Sequence, residues 1–204
     1  ALRQRYPGVA LHNFFGLTET ISMTHVLLGD EADARPDSIG RLLPFVEAQV
    51  VDPVTRATLP PGQVGELLFA REVVIPGYAD QPGKLEESLV VIGGREWFRT
   101  GDLASVDEEG YFFIKGRSKE MIIVGGENVY AAEVEAALFE HPDVVDAAII
   151  GVPHDRLGEE VGAVVRPRAD VSLTTDDVRT HVAARLAAFK VPAHVWVVDE
   201  ELPR

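Results

Sequence analysis

The chain contains no cysteine among its 204 residues. Disulfides, zinc–thiolate sites and catalytic thiols are therefore excluded. The absence of cysteine fits a reducing compartment, and we expect a cytoplasmic protein. The six histidines are scattered without the spacing of metal ligands, so a zinc site is not expected either.

Long apolar runs and runs of positive charge are also missing. A membrane-spanning helix needs about 20 successive apolar residues, and the N-terminal residues show neither the apolar core nor the cleavage site of a signal peptide. The formal net charge of −14 makes the surface repel nucleic-acid phosphates. We therefore expect a globular protein with no membrane span and no nucleic-acid partner.

The stretch WFRTGDLASVDEEGYFFIKGRSKEMIIVGGENVY, residues 97–130, concentrates the polar groups that are best suited to chemistry. Asp102 directly follows Gly101, and a flexible glycine suits a carboxylate that points out of the fold toward a ligand. The two carboxylate oxygens can accept hydrogen bonds side by side, as a vicinal diol such as that of ribose would donate them. Asp102 is therefore a candidate ligand-binding residue.

The second half of that stretch predicts a β-hairpin. Apolar residues 111–114 and 121–124 flank the charged segment 115–119, which we interpret as the turn. Gly125 and Gly126 would leave bare backbone at the end of this hairpin. Such backbone could admit a thin ligand, or the glycine pair could simply form a turn of its own.

A second candidate site lies in FFGLTET, residues 14–20, at the end of a short apolar strand. The aromatic rings offer a flat face for an adenine ring, Thr18 offers a hydroxyl for a phosphate oxygen, and Glu19 offers an oxygen ligand for Mg²⁺. A Thr-Glu pair after a strand is also typical of the N-cap of a following helix. The residues alone leave both interpretations open.

Residues 39–71 read as β-structure, with alternating apolar positions separated by Pro and Gly turns. They predict a small barrel or sandwich. We interpret Glu66 and Arg71 as charges on the solvent side of a strand, with no chemical role. The His154–Asp155 pair lacks an accompanying nucleophile motif, and we assign it no catalytic role.

Helical periods appear only after residue 116, so we predict two domains, residues 1–116 and 117–204, with Lys119 as the hinge. One helix should end near His141, and a second, capped by residues 174–177, should continue to Phe189. Apolar strands are expected at residues 144–152, 162–165 and 195–198. The predicted fold class is α+β: a β-rich, barrel-like subdomain followed by a small α/β domain with a three-stranded sheet and a hairpin.

Three motifs occur in a characteristic order: FFGLTET, the pattern W-x-x-T-G-D at residues 97–102, and GRSKEMIIVGGENVYAAEVE at residues 116–135. Together they resemble the adenylate-forming enzymes, which include acyl- and aryl-CoA synthetases, peptide-synthetase adenylation domains and beetle luciferases. The resemblance extends over essentially the whole chain. Two departures are Phe15, where tyrosine is usual, and Ala131, where proline is frequent.

The resemblance implies two half-reactions. A carboxylate first attacks the α-phosphate of ATP, giving an acyl-adenylate and pyrophosphate, and the thiol of CoA then displaces AMP. The implied nucleotide-binding residues are Phe15, Gly16, Thr18, Asp102, Ile114 and Arg117. Catalytic roles are implied for Thr18, Glu19 as the Mg²⁺ ligand, Arg117 and the hinge Lys119, and contact with the pantetheine arm of CoA for Gly125 and Gly126.

The sequence begins without Met, and we interpret it as a C-terminal piece of a longer polypeptide. The resemblance implies a phosphate-binding loop before Ala1 and a catalytic lysine beyond Arg204. Losing one electrostatic partner of a transition state typically costs about 3 to 4 kcal/mol, so we expect no measurable adenylation by this piece alone.

Within the family, GGENVY followed by AAEVE is closer to CoA ligases than to peptide-synthetase domains. We therefore predict part of an AMP-forming acyl-CoA ligase that uses ATP, Mg²⁺, CoA and a fatty or aryl carboxylic acid. Two alternatives stay open. One is a non-catalytic nucleotide- or CoA-binding module with the same fold, and the other is an amino-acid adenylation domain.

Overall fold

The structure, a computed structural model, describes residue 5 and residues 8–202. The chain divides into two compact units, Ala1–Lys115 and Gly116–Arg204. This division lies one residue before the boundary that the sequence predicts. Of the helices in the described ranges, none has the length and apolarity needed to cross a bilayer.

The first unit consists mainly of antiparallel strands. A three-stranded sheet is formed by β1 (Asn13–Gly16), β2 (Met23–Leu27) and β3 (Arg41–Leu42), and the short helix α1 (Gly29–Ala34) lies between β2 and β3. A five-stranded sheet has the order β4-β5-β7-β6, with β8 also paired to β7. Its strands are β4 (Ala48–Val51), β5 (Gly65–Ala70), β6 (Leu89–Ile92), β7 (Arg95–Val106) and β8 (Phe112–Arg117).

A bridge between Gly40 and Phe112 joins these two sheets. The Ile39 amide donates to the Phe112 carbonyl, and the Phe112 amide donates to the Gly40 carbonyl, both at 2.9 Å. Gly40 has φ of 97°, and a Cβ there would lie 2.1 Å from the Val26 carbonyl oxygen, so only glycine fits. The bridge curls the sheets around a core that includes Leu67 and Phe69 of β5, as the predicted barrel-like subdomain requires. All six residues of β5 are buried.

The second unit is a five-stranded sheet with two helices. The sheet order is β10-β9-β12-β11, with β13 parallel to β12. Its elements are β9 (Met121–Val124), β10 (Glu127–Tyr130), α2 (Ala131–Phe139), β11 (Val144–His154), β12 (Gly158–Pro167), α3 (Thr175–Ala183) and β13 (His194–Val197). The three predicted apolar strands and the β9–β10 hairpin therefore form one continuous sheet.

Alternation along β11 and β12 places the core of the second unit on one face of that sheet. Ile149 pairs with Ala163, and both are buried together with Val134 of α2 and Val178 of α3. Ile150, one position further on, points to the opposite face and is 46% exposed. The helices are therefore amphipathic elements that cover one side of the sheet, as their periodicity predicts.

Two predictions about secondary structure are wrong in detail. Residues 111–114 and 121–124 do not form a hairpin, because β8 pairs with β7 whereas β9 pairs with β10 through the Gly125–Gly126 turn. The charged segment therefore connects two separate pairings. The second helix ends at Ala183 instead of Phe189, and a separate 3-10 turn follows at Ala188–Lys190. Its predicted start is confirmed, since Thr174 and Asp177 form a capping box.

The placement of Glu66 on the solvent side of a strand is also wrong. Its side chain is 1% exposed and forms ion pairs with Arg56 and Arg99. β5 is buried on both faces, so a charge on it can be accommodated only with partners. Arg71 donates to the carbonyl oxygens of Val74 and Ile75 and braces the loop that follows β5.

Candidate functional site

The segment after β1 is a single tight turn built around Thr20. Residues Thr18–Thr20 form one 3-10 turn, and the buried Thr20 hydroxyl lies 2.9 Å from both the amide nitrogen and the carbonyl oxygen of Leu17. Thr18 is left exposed. The N-cap interpretation of Thr18 is wrong, because Leu17 precedes this turn and Leu28 precedes α1.

The residue that follows this turn has a strained backbone. Ile21 has φ of 61° and ψ of −35°, and the Ser22 amide donates to the Thr20 carbonyl at 2.6 Å. A β-branched residue with positive φ is unfavourable and persists only when the surrounding contacts impose it. Ile21 is 78% exposed, so burial does not impose this conformation. The hydrogen bonds of Thr20 therefore hold this turn in place. Backbone strain like that of Ile21 is concentrated at functional sites, so the turn is a candidate site.

Glu19 is fixed by a tyrosine from a distant loop. The Tyr78 hydroxyl donates to Glu19 Oε1 at 2.6 Å, and the Ile75 amide donates to the Glu19 carbonyl oxygen at 2.8 Å. The hydrogen bond to Glu19 raises the pKa of Tyr78 to about 12. Tyr78 therefore stays a neutral donor throughout the physiological range and orients the carboxylate.

The chemistry of Glu19 fits the predicted Mg²⁺. No cluster of three His, Cys, Asp or Glu side chains able to hold a metal occurs in the part of the chain that the structure describes. Mg²⁺ does not need one, because it is usually bound by one or two carboxylates together with substrate phosphates and water. One oxygen of Glu19 bonds to Tyr78, which leaves the other for a phosphate-bound cation.

Phe15 and Phe14 differ in exposure. Phe14 is 56% exposed, whereas Phe15 is half-buried and packs against the core of the first unit. The Phe15 ring meets the fully buried His25 edge-on, with 5.6 Å between ring centroids. Gly16 next to it approaches the returning strand so closely that a Cβ would lie 2.5 Å from the Ser22 carbonyl oxygen. The glycine of the motif is therefore required by packing.

The motif Thr100-Gly101-Asp102 forms a bulge in β7. Glu66 pairs with Leu103 and Leu68 with Arg99, so these three residues lie opposite the single Leu67. Gly101 has φ of 74°, as the predicted flexible position requires, and the Thr100 hydroxyl donates to the Leu67 carbonyl at 2.8 Å. Bulges often redirect a side chain next to an active site.

The expected outward orientation of Asp102 is wrong. Its side chain is only 4% exposed, because the bulge turns it inward, and its amide donates to the Thr100 hydroxyl at 2.9 Å. Contact with a ribose diol therefore stays a prediction. Ile114 on β8 is half-buried and packs against the core of the first unit.

Arg117 and Lys119 belong to the second unit, and both are exposed. Lys119 lies in a single 3-10 turn, Ser118–Glu120, between β8 and β9. An exposed one-turn connector close to the division between the units is a suitable place for a hinge. The hinge role itself stays a prediction.

Gly125 and Gly126 form the two-residue turn between β9 and β10, with φ of 61° and 95°. The turn interpretation is therefore confirmed, and positive φ is sufficient to explain both glycines. A Cβ on Gly126 would meet nothing within 4 Å, so internal packing does not require glycine there. The turn is exposed, and its open side is free for a ligand.

Thr20 and Tyr78 are the site residues that the sequence did not reveal. Thr20 belongs to the FFGLTET motif and contacts residues two and three positions away, so turn geometry could have indicated it. Tyr78 lies 59 positions from Glu19. No local pattern predicts a contact at that separation.

Comparison with known proteins agrees with this architecture. Residues 1–79 match the family of AMP-binding enzymes, and residues 133–204 match the AMP-binding enzyme C-terminal domain. The fold is that of the adenylate-forming enzymes. The chain belongs to the AMP-binding enzyme family.

Individual relatives are similar over most of the chain. The mitochondrial medium-chain acyl-CoA ligase ACSF2 of Rattus norvegicus is 36% identical over 91% of this chain and 30% of its own length. The o-succinylbenzoate CoA synthetase MenE of Bacillus subtilis, solved with an acyl-adenylate intermediate, has a TM-score of 0.84 at 29% identity, covering 100% of this chain and 40% of that one. ATP-bound MatB of Rhodopseudomonas palustris has a TM-score of 0.83 at 38% identity, covering 97% and 38%. The chain thus spans 30% to 40% of the length of these relatives.

Proposed function

We propose that the chain is part of an ATP-dependent, AMP-forming acyl-CoA ligase that acts on a fatty or aryl carboxylic acid. The main support is the similarity over nearly the whole chain to two adenylate-forming enzymes, one solved with an acyl-adenylate and the other with ATP. The named relatives include a medium-chain acyl-CoA ligase and a 4-coumarate–CoA ligase-like protein of Oryza sativa subsp. japonica. The Thr18–Thr20 turn, which the strained residue Ile21 follows, and the bulge at Asp102 give the proposal local sites.

In the first half-reaction, a carboxylate oxygen of the acid attacks the α-phosphorus of ATP, and pyrophosphate leaves. Phe15 offers its ring to the adenine, and Asp102, once its inward-facing side chain turns toward the nucleotide, accepts hydrogen bonds from the ribose. The exposed Thr18 hydroxyl donates to a phosphate oxygen, and Arg117 supplies positive charge. Glu19, oriented by Tyr78, would hold Mg²⁺, which supplies charge neutralisation when bound.

In the second half-reaction, the thiol of CoA loses its proton to solvent, its sulfur attacks the carbonyl carbon of the acyl-adenylate, and AMP leaves as the C–O bond to it breaks. The Gly125–Gly126 turn offers exposed backbone without side chains, along which a pantetheine arm can lie. Lys119 lies in the connector between β8 and β9 and would act as the pivot.

The test uses a polypeptide extended to the full length of the relatives, incubated with ATP, Mg²⁺, CoA and a panel of fatty and aryl acids. We expect acyl-CoA and AMP to form in equal amounts with at least one acid. Nucleotide binding without pyrophosphate release from any acid would instead indicate a non-catalytic binding module. Adenylate formation with amino acids alone would indicate an adenylation domain.

Gly126→Leu should separate the two half-reactions. We expect thioester formation to fall at least about tenfold, because the side chain occupies the proposed pantetheine path, while pyrophosphate release in the absence of CoA stays within about twofold. Stopped-flow or quenched-flow assays with each half-reaction isolated provide the measurement. A parallel fall of both rates, or of neither, would exclude the proposed contact.

Two variants control for backbone strain in that experiment. Gly126→Asn adds bulk with a residue that tolerates positive φ, and it should impair thioester formation to an intermediate degree. Gly83→Leu places leucine in another exposed turn, at φ of 86° and with nothing within 4 Å of its Cβ. It should leave both half-reactions unchanged.

A further inference from the structure

His154 is the last residue of β11, and its ring organises the turn that leads into β12. The ring nitrogen Nδ1 accepts the backbone amides of both Arg156 and Leu157, each at 3.2 Å. A nitrogen that accepts hydrogen bonds carries no proton, so Nδ1 acts here as an acceptor and Nε2 is the nitrogen available as a donor. Nε2 lies 3.6 Å from Glu160 Oε1.

The turn that His154 organises is attached directly to the glycine turn. The Gly125 amide donates to the Leu157 carbonyl oxygen at 2.8 Å, and Leu157 Cδ2 lies 3.2 Å from the place where a Gly125 Cβ would be. A further bond joins the same two segments, because the Ile123 amide donates to Glu159 Oε2 at 2.9 Å. The β11–β12 turn therefore holds the Gly125–Gly126 turn in place.

We propose that His154 is a positioning residue for the CoA-dependent half-reaction. By fixing the amides of Arg156 and Leu157, it sets the Leu157 carbonyl that anchors Gly125, and thereby the backbone that faces the thiol co-substrate. This inference rests on the proposed function of the glycine turn. His154 performs no proton transfer in it, because Nδ1 is occupied by two amides and Nε2 faces Glu160.

The same capping chemistry occurs elsewhere in the chain with a different side chain. Asp52 Oδ1 accepts the amides of Val54 and Thr55, two and three positions ahead, at 2.9 and 2.6 Å. His154 accepts amides at the same two offsets. Aspartate is therefore the conservative replacement, because its short carboxylate can form the same local turn.

The first experiment measures hydrogen exchange of the Gly125 amide by NMR in the 204-residue chain. His154→Leu removes both acceptor contacts, and we expect exchange at Gly125 to become at least about tenfold faster. His154→Asp should restore the wild-type rate to within about threefold. The matched control is His141→Leu, which removes a ring that accepts the Asp143 amide at 3.1 Å, and it should leave Gly125 unchanged.

The second experiment measures the two half-reactions in the polypeptide of full relative length. His154→Leu should slow thioester formation at least about fivefold while changing adenylate formation less than about twofold, and His154→Asp should recover most of the loss. Equal effects on both half-reactions, or failure of the aspartate to rescue, would overturn the positioning role. Unchanged exchange at Gly125 in His154→Leu would show that His154 does not hold the Gly125–Gly126 turn in place. If exchange responds as expected but the wild type forms no thioester, the proposed function fails, whereas the structural role of His154 in holding the glycine turn is retained.

Discussion

Replacing Arg56 and Arg99 together by methionine should lower the free energy of unfolding of the first unit by about 3 to 5 kcal/mol. Arg56 Nη1 lies 2.7 Å from Glu66 Oε2, and Arg99 Nε lies 3.0 Å from Oε1 and 3.1 Å from Oε2. The carboxylate is 1% exposed. Without the two cations it would be buried with no compensating charge, whereas methionine keeps the aliphatic contacts of each arginine stem.

The size of this loss of stability depends on which member of the ion-pair cluster is removed. Arg56 and Arg99 are 30% and 36% exposed, so water can solvate them when Glu66 alone is changed to leucine. That single variant should lose less than the double variant. Adding Glu66→Leu to the double variant should restore most of the stability, because an apolar triad of similar volume carries no desolvation cost.

The measurement is urea unfolding followed by tryptophan fluorescence. The chain has two tryptophans, Trp97 in the first unit and Trp196 in the second, so a Trp196→Phe background reports on the first unit alone. A loss below about 1 kcal/mol in the double variant, or a triple variant no more stable than the double, would mean that the arginines do not offset the Glu66 charge.

Glu66 illustrates why sequence patterns could not place every charge. A strand with one charged residue ordinarily turns that residue to water, but GELLFA is covered on both faces. Its two partners lie 10 and 33 positions away, on a turn and on a neighbouring strand. Burial and pairing of this kind depend on tertiary contacts, and the alternation of apolar residues along the sequence does not reveal such contacts.

Local signals were reliable where local energetics dominate. The capping box at Thr174 and Asp177 and the apolar run that became β11 needed no distant contact to be recognised. The misassigned hairpin shows what happens when two possible turns compete. The two-residue Gly125–Gly126 turn is a stronger hairpin signal than the longer charged segment at residues 115–119. β9 therefore pairs forward with β10, and β8 pairs back with β7.

Within the candidate site, the glycine positions were predictable and the supporting contacts were not. Gly101, Gly125 and Gly126 adopt the positive φ values that their place in turns or bulges indicates. The inward orientation of Asp102 depends on the register between β5 and β7, and the role of His154 depends on amides that meet across a turn. Motifs thus locate the site, while register and hydrogen bonds decide which residues orient it.

Acidification between pH 6.5 and pH 5 should lower the free energy of unfolding of the first unit by about 2 kcal/mol through His25. Burial lowers the pKa of His25 to about 3 from the ordinary value of 6.5. The ring is enclosed by Phe15, Phe69 and Phe112, and Nε2 has no hydrogen-bond partner among the described residues. An imidazolium there would be buried without an anion.

The sign follows from proton binding. Below pH 6.5 the unfolded chain takes up a proton at His25, whereas the folded chain does not until the pH approaches 3, so stability is lost as the pH falls through this window. Lowered carboxyl pKa values at Glu47, Asp52 and Glu72 act in the same direction, but mainly below about pH 5. The interval from 6.5 to 5 therefore isolates the histidine contribution.

His25→Phe tests the assignment, because it keeps a ring in the aromatic enclosure and removes the titrating nitrogens. In the Trp196→Phe background, its unfolding free energy should be nearly constant from pH 6.5 to pH 5, while that of the parent falls. His12→Leu is the matched control, since His12 is exposed on the same unit and its loss should leave the His25-dependent slope unchanged. If His25→Phe kept the full slope, the acid sensitivity would reside elsewhere, and the buried ring would have to be accessible to a proton in the folded state.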